Sequence, residues 1–172
     1  MKQYPPLLLK YLKIFQEDPT SKVFALLAEC YRKIGQADQA IDICNEGLSA
    51  NPDFIGGKVA LARALYDKKM YLEVRELILP IIDQIPDNLV AQRLLADTSL
   101  MLGHFKDALN ANRMILYFNP DDKEAYEIIH EIESDMAEKG GLLKIKRPEK
   151  VSRLIKLQRL LTNIQKTQGI RV

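Results

Sequence analysis

Along most of the chain, apolar residues fall three and four positions apart, the spacing that lines up side chains on one face of an α-helix, and the arrangement recurs. Leu27 and Ala28, Leu61 and Ala62, and Leu95 and Ala96 are separated by a constant 34 residues. Ala40, Val74 and Ala108 keep the same interval, as do Pro52, Pro86 and Pro120, each followed by aspartate (Asp53, Asp87, Asp121). Proline stops one helix and aspartate suits the positive start of the next, so every Pro-Asp pair is expected to separate two helices. Short amphipathic hairpins repeated at this period predict an array in which no hairpin buries its apolar face alone and stacking builds the core.

With units opening at Ser21, Ile55 and Leu89, the chain resembles the tetratricopeptide repeat family. Leucine fills the seventh position and alanine the eighth in all three units, and the twentieth, where the family prefers alanine, holds Ala40, Val74 and Ala108. The aromatic positions depart from the pattern: Phe24 and Tyr31 become Lys58 and Leu65, then Gln92 and Ser99. The resemblance implies an all-α, right-handed superhelical solenoid with three full repeats, 21–54, 55–88 and 89–122. A half repeat is expected at each end. Leu7, Tyr11 and Ile14 predict a helix over 5–16 ahead of Asp18-Pro19, with Thr20 and Ser21 offering the next N-cap, while Tyr126, Ile129 and Ile132 predict one over 121–138, closed by Gly140-Gly141. The array thus takes up residues 1–139.

Charge divides the chain where the array ends. Residues 140–172 carry nine cations against the single Glu149, a net of +8, leaving 16 basic and 22 acidic residues in positions 1–139, a net of −6. Within this region a basic linker, 140–147, leads to a predicted helix over 148–168 and a short end, 169–172. Leu154, Leu157, Leu161 and Ile164 form one apolar stripe on that helix, flanked by cations such as Arg153 and Lys156. Pro148 and Glu149 suit its first turn and Gly169 its end. Three uses are expected of it: capping its own array, self-association into a homodimer, or docking on a partner. Glu124, Glu127, Glu131 and Asp135 make a matching acidic stripe on the last array helix, toward which the basic helix is expected to be drawn.

Catalytic chemistry is not expected. His104 and His130, the two histidines, have no cysteine or metal-spaced partner nearby in sequence, and Gly56-Gly57 and Gly140-Gly141 lack the strand and the Lys-Ser/Thr of a phosphate loop. Cys30 and Cys44 fall on the two helices of one hairpin and read as small buried hydrophobes. No nucleophile with its base, metal site or cofactor is proposed. The early apolar run is interrupted by Pro5-Pro6 and Lys10, and no stretch reaches the length that spans a bilayer, so a cytoplasmic protein is expected.

A non-catalytic adaptor that holds a segment of another protein is the function the resemblance implies. In the family, the second, fifth, ninth, twelfth and thirteenth positions of each unit line the inner groove. From those positions the candidate contacts are Glu29, Arg32, Arg63, Tyr66, Arg93, Asp97, Leu100 and Met101, with Tyr66, Leu100 and Met101 as apolar anchors and Arg63 and Arg93 as acceptors of acidic side chains. The cationic clamp by which some family members grip a C-terminal carboxylate is missing, since Ala25, Glu29, Ala60, Val90 and Leu94 stand in its place. Two alternatives are a secretion-type chaperone for one client, and a peripheral binder of anionic membrane or nucleic acid through the basic helix. The latter is disfavoured by the lack of any aromatic residue there to insert or stack.

Overall fold

The computed structural model describes residues 4–138, and these form eight helices and no strand. They are α1 (Pro6–Glu17), α2 (Phe24–Lys33), α3 (Ala37–Ala50), α4 (Ile55–Asp67), α5 (Tyr71–Gln84), α6 (Leu89–Leu102), α7 (Phe105–Phe118) and α8 (Lys123–Glu138). The 34-residue period survives in the backbone: α3, α5 and α7 begin at Ala37, Tyr71 and Phe105, and α4, α6 and α8 at Ile55, Leu89 and Lys123. The linker 140–147, the helix expected over 148–168 and the end 169–172 lie outside the described residues. The chain divides after Gln84 into two compact units, the first holding α1–α5 and the second α6–α8.

Each hairpin turns through the same device. Gly35, Lys69 and Gly103, again 34 apart, take left-handed φ values of 76°, 64° and 78°. The next residue in each case donates its N–H to a carbonyl five positions back: Gln36 to Tyr31, Met70 to Leu65 and His104 to Ser99, at 2.9, 3.0 and 2.8 Å. This closing pattern satisfies the orphan carbonyls of a helix end and favours glycine at the left-handed position. Lys69 bears the cost that glycine avoids in the other two turns. Replacing Lys69 with glycine is therefore expected to stabilise the first unit by up to about 1 kcal/mol, and Gly103→Ala to destabilise the second by a similar amount. Opposite shifts of the thermal midpoints would bear this out, and equal shifts would contradict it.

Helix starts differ from expectation. Asp53 and Asp87 sit in the turns ahead of α4 and α6, whose N-cap residues are Phe54 and Asn88. The cap at α6 is made by Asn88, whose side chain accepts from the Ala91 N–H at 3.1 Å, and before α8 the Asp122 carboxylate accepts from the Ala125 N–H at 2.8 Å. Ser21 likewise does not open a helix. The Asp18 carboxylate accepts from the Thr20 N–H and hydroxyl at 3.0 and 2.6 Å, holding a turn that delays α2 to Phe24. Proline restricts its own φ, and the chain needs one or two further residues to change direction before a helical N-terminus forms.

Small residues let the helices of the first unit approach closely. Ala28, Ala40, Cys44, Ala60 and Ala64, drawn from α2, α3 and α4, make one buried cluster, and Leu8, Phe15, Phe24 and Leu27 another. In the second unit Leu100, Ala108, Leu109, Ile128 and Ile132 form the core shared by α6, α7 and α8. The repeat's alanine at the eighth position is buried in each full hairpin, at Ala28, Ala62 and Ala96. Where the first aromatic position turns polar in the third hairpin, the core accepts it by bonding. Gln92 is fully buried, and its side-chain amide donates to the Pro86 carbonyl at 2.9 Å.

Candidate functional site

The first helices of the hairpins carry the candidate contacts, and in the first unit these side chains engage each other. Glu29 on α2 is the hub: its carboxylate accepts from Arg32 Nε and Nη2, both at 2.9 Å, and lies 3.4 Å from Arg63 Nη1 on α4 and 4.0 Å from Lys33 Nζ. The remaining arm of Arg32 donates to Asp67 Oδ2 at 2.9 Å. The two-pronged Arg32–Glu29 contact fixes both planar groups, and the Arg32–Asp67 and Arg63–Glu29 contacts lock α2 to α4 across this face. Tyr66 beside them is half-buried, with its ring edge-on to Tyr71 at 5.4 Å.

Hydrogen bonding from Arg32 holds the Glu29 carboxyl below its ordinary value, with the charges of Arg32, Arg63 and Lys33 adding to this and partial burial opposing it. The Arg32 guanidinium is raised in turn, mainly by its bond to Glu29. A depressed carboxyl means that the folded state binds fewer protons than the unfolded one. The network's stabilisation is thus complete above the ordinary carboxylate range and is lost as the pH falls through the folded-state value of Glu29. Glu29→Gln is expected to flatten the dependence of stability on pH as it falls below the ordinary carboxylate range. Urea melts across that window measure it, and an unchanged slope would contradict the network.

On the second unit, Arg93 of α6 ion-pairs with Asp122 and lies 3.9 Å from Glu124, tying α6 to the start of α8. Asp97 and Met101 are half-buried, and Val90 is 52% exposed. Along α8, Glu124 and Glu127 are exposed while Glu131 and Asp135 are half-buried, next to a core side made by Ala125, Ile128 and Ile132. The described part of this unit holds four basic residues against eleven acidic ones, whereas residues 4–84 hold ten against eleven. The described part of the second unit is therefore strongly acidic, and that of the first nearly balanced.

Two expectations change. Leu100 is only 4% exposed and packs on Ala108, Leu109, Ile128 and Ile132, so it is a core residue and not a surface anchor. At its position in the repeat the first unit has the polar-headed Arg32 and Tyr66; an aliphatic side chain there turns inward, where it escapes water. Arg63 and Arg93 are already paired with carboxylates of their own chain, so neither stands as an open acceptor of acidic side chains. What the sequence did not announce is the cross-helix network, because its partners lie 34 and 35 residues apart; the ninth, twelfth and thirteenth positions, read together, are the signal that could have found it.

Among the described residues, the remaining titratable groups show no second centre. His104 and His130 are exposed. Cys30 and Cys44 are free thiols; burial pushes Cys30 up and Cys44 up to about 12, which leaves both poor nucleophiles. Among the described residues no group of histidine, cysteine and carboxylate side chains could hold a metal ion, and no helix is long and apolar enough to cross a membrane.

No protein-family model matches the chain, and neither does any curated protein. Solved structures do. A crystal structure of MamA superimposes with a TM-score of 0.68 over 95% of this chain and 90% of that one, at 15% identity. A second MamA structure gives 0.66 over 96% and 85%, at 16% identity, and MamA AMB-1 gives 0.65 over 87% and 83%, at 18% identity. MamA is a helical protein of the tetratricopeptide kind. The fold is of the tetratricopeptide type.

Proposed function

We propose that the protein is a non-catalytic adaptor that holds a segment of another protein against the first-helix faces of its tetratricopeptide-type hairpins. The observation that carries this reading is the ion-pair network centred on Glu29. Four charged side chains at groove positions of two helices are already ordered before any partner arrives, so an incoming segment meets a surface that needs little further ordering. Tyr66 sits beside that network as a rigid amphipathic contact of the kind that dominates interface energetics. The acidic face of α8 adds a preference: a segment with basic side chains suits the second unit, and one of mixed polarity suits the first. Nothing in this arrangement supplies a nucleophile with a base, and a cytoplasmic setting fits the two free thiols.

The test is substitution on that face in the full chain. Arg63→Glu with Tyr66→Ala should weaken a partner's binding at least tenfold while leaving the helical circular dichroism unchanged, because both side chains are partly exposed. Leu72→Ala, an exposed position on α5, should leave affinity unaltered. Equal effects of the two variants would remove the reading.

A further inference from the structure

The repeat geometry exposes a gap on α8. In the preceding first helices, the fourth, eighth and eleventh positions turn toward the protein interior. At the fourth, Phe24 and Gln92 are buried and Lys58 is half-buried; at the eighth, Ala28, Ala62 and Ala96 are all buried; at the eleventh, Leu65 and Ser99 are buried and Tyr31 is half-buried. In the first unit these side chains pack on the second helix of the same hairpin, as Phe24 does against Gly47 and Ala28 against Ala40 and Cys44. The equivalent positions of α8 are Tyr126, His130 and Glu133, and all three are exposed, Tyr126 by 63%. Glu133 reaches back to Arg113 of α7 at 2.7 Å, so the side that the earlier first helices cover with a second helix is open on α8 at Tyr126 and His130, among the described residues.

We propose that the chain's own segment 148–168 covers this side of α8. Its leucine stripe, Leu154, Leu157, Leu161 and Ile164, faces Tyr126 and His130, and its cations lie along the border marked by Glu127 and Glu131. Three features select this occupant. The first is charge: residues 85–138 carry a net of −7, and residues 140–172, which follow after one residue, carry +8, whereas residues 4–84 carry only −1. The second is reach. Nine residues separate Glu138 from Pro148, enough extended chain to span about 30 Å. Helix α8, at 16 residues, is about 24 Å long, so the segment can return along its whole length. The third is side-chain size. In the first hairpin, alanine at the eighth position meets Ala40 and Cys44 at close range, but on α8 that position is His130. A histidine keeps a neighbouring helix farther away, and large leucines fill the wider gap that small residues would leave empty.

Disulfide trapping in the full chain tests the arrangement. With Cys30→Ala and Cys44→Ala as background, His130→Cys is combined either with Leu157→Cys on the stripe or with Arg159→Cys on the opposite side of the predicted helix. Mild oxidation should give an intramolecular disulfide at least tenfold faster for the Leu157 pair than for the Arg159 pair, with the protein remaining monomeric. Equal rates, or disulfides formed only between chains, would overturn the proposal. A second measurement guards against misfolding of the paired variants. In the His130→Cys chain alone, adding Leu154→Asp, Leu157→Asp and Leu161→Asp should speed reaction of the introduced thiol with a bulky maleimide at least tenfold, and an unchanged rate would count against the proposal.

Discussion

Gly47→Ala should lower the thermal midpoint of the first unit by about 5–10 °C, although it places a better helix former in the middle of a helix. A Cβ at Gly47 would sit 2.1 Å from Phe24 Cγ and 2.2 Å from Cδ1, distances that real Cβ atoms do not adopt. Gly57 grips the far end of the same ring, where a Cβ would lie 2.5 Å from Phe24 Cζ. Phe24 is completely buried and packs edge-on against Phe54 at 5.7 Å, so the ring has little room to withdraw. Helix propensity favours alanine over glycine by about 1 kcal/mol, whereas overpacking a core costs about 1–3 kcal/mol and occasionally more. With three ring atoms inside 3 Å, the clash wins. Combining Gly47→Ala with Phe24→Leu should cost less than the sum of the single changes, because the second makes room for the first. A higher midpoint for Gly47→Ala alone would show that the ring is not held as described.

Leu100→Ala is expected to cost the second unit about 2–5 kcal/mol, the range for truncating a buried leucine. Val90→Ala on the same helix should change stability by no more than about 0.5 kcal/mol, since Val90 is half-exposed. The contrast decides between two uses of the same helix. If Leu100 were a surface anchor, its truncation would weaken partner binding and leave unfolding untouched. As a core residue bridging α6 to Ile128 and Ile132 of α8, it should weaken binding only to the extent that the unit unfolds. Urea denaturation followed with binding at low denaturant separates the two.

Periodicity made the helices readable because a 34-residue interval constrains every hairpin at once. Ala28, Ala62 and Ala96 could be placed in the interior from spacing alone, as could Ala40, Val74 and Ala108. Turn chemistry was less visible. Lys69 holds a left-handed conformation that its residue type disfavours, and only alignment with Gly35 and Gly103 reveals it. Helix caps slipped by one or two residues because proline fixes where a helix must stop and leaves open where the next begins. The face was harder still. Glu29, Arg32 and Arg63 were expected at groove positions by analogy, but their mutual pairing depends on side chains meeting across two helices, which no local pattern encodes. Leu100 shows the opposite limit: a position defined by analogy pointed outward, and the aliphatic side chain found there turned to the core.

If partners are held on the first-helix faces, as proposed, site-specific photo-cross-linking should catch them there. A photoreactive residue would replace Tyr66 in one version of the full chain and Leu72, exposed on α5, in another, with both irradiated in the native cell extract. A discrete cross-linked protein is expected from position 66, lost when Arg63→Glu is added, and no such product from position 72. Products from position 72 alone, or an identical set from both positions, would contradict it.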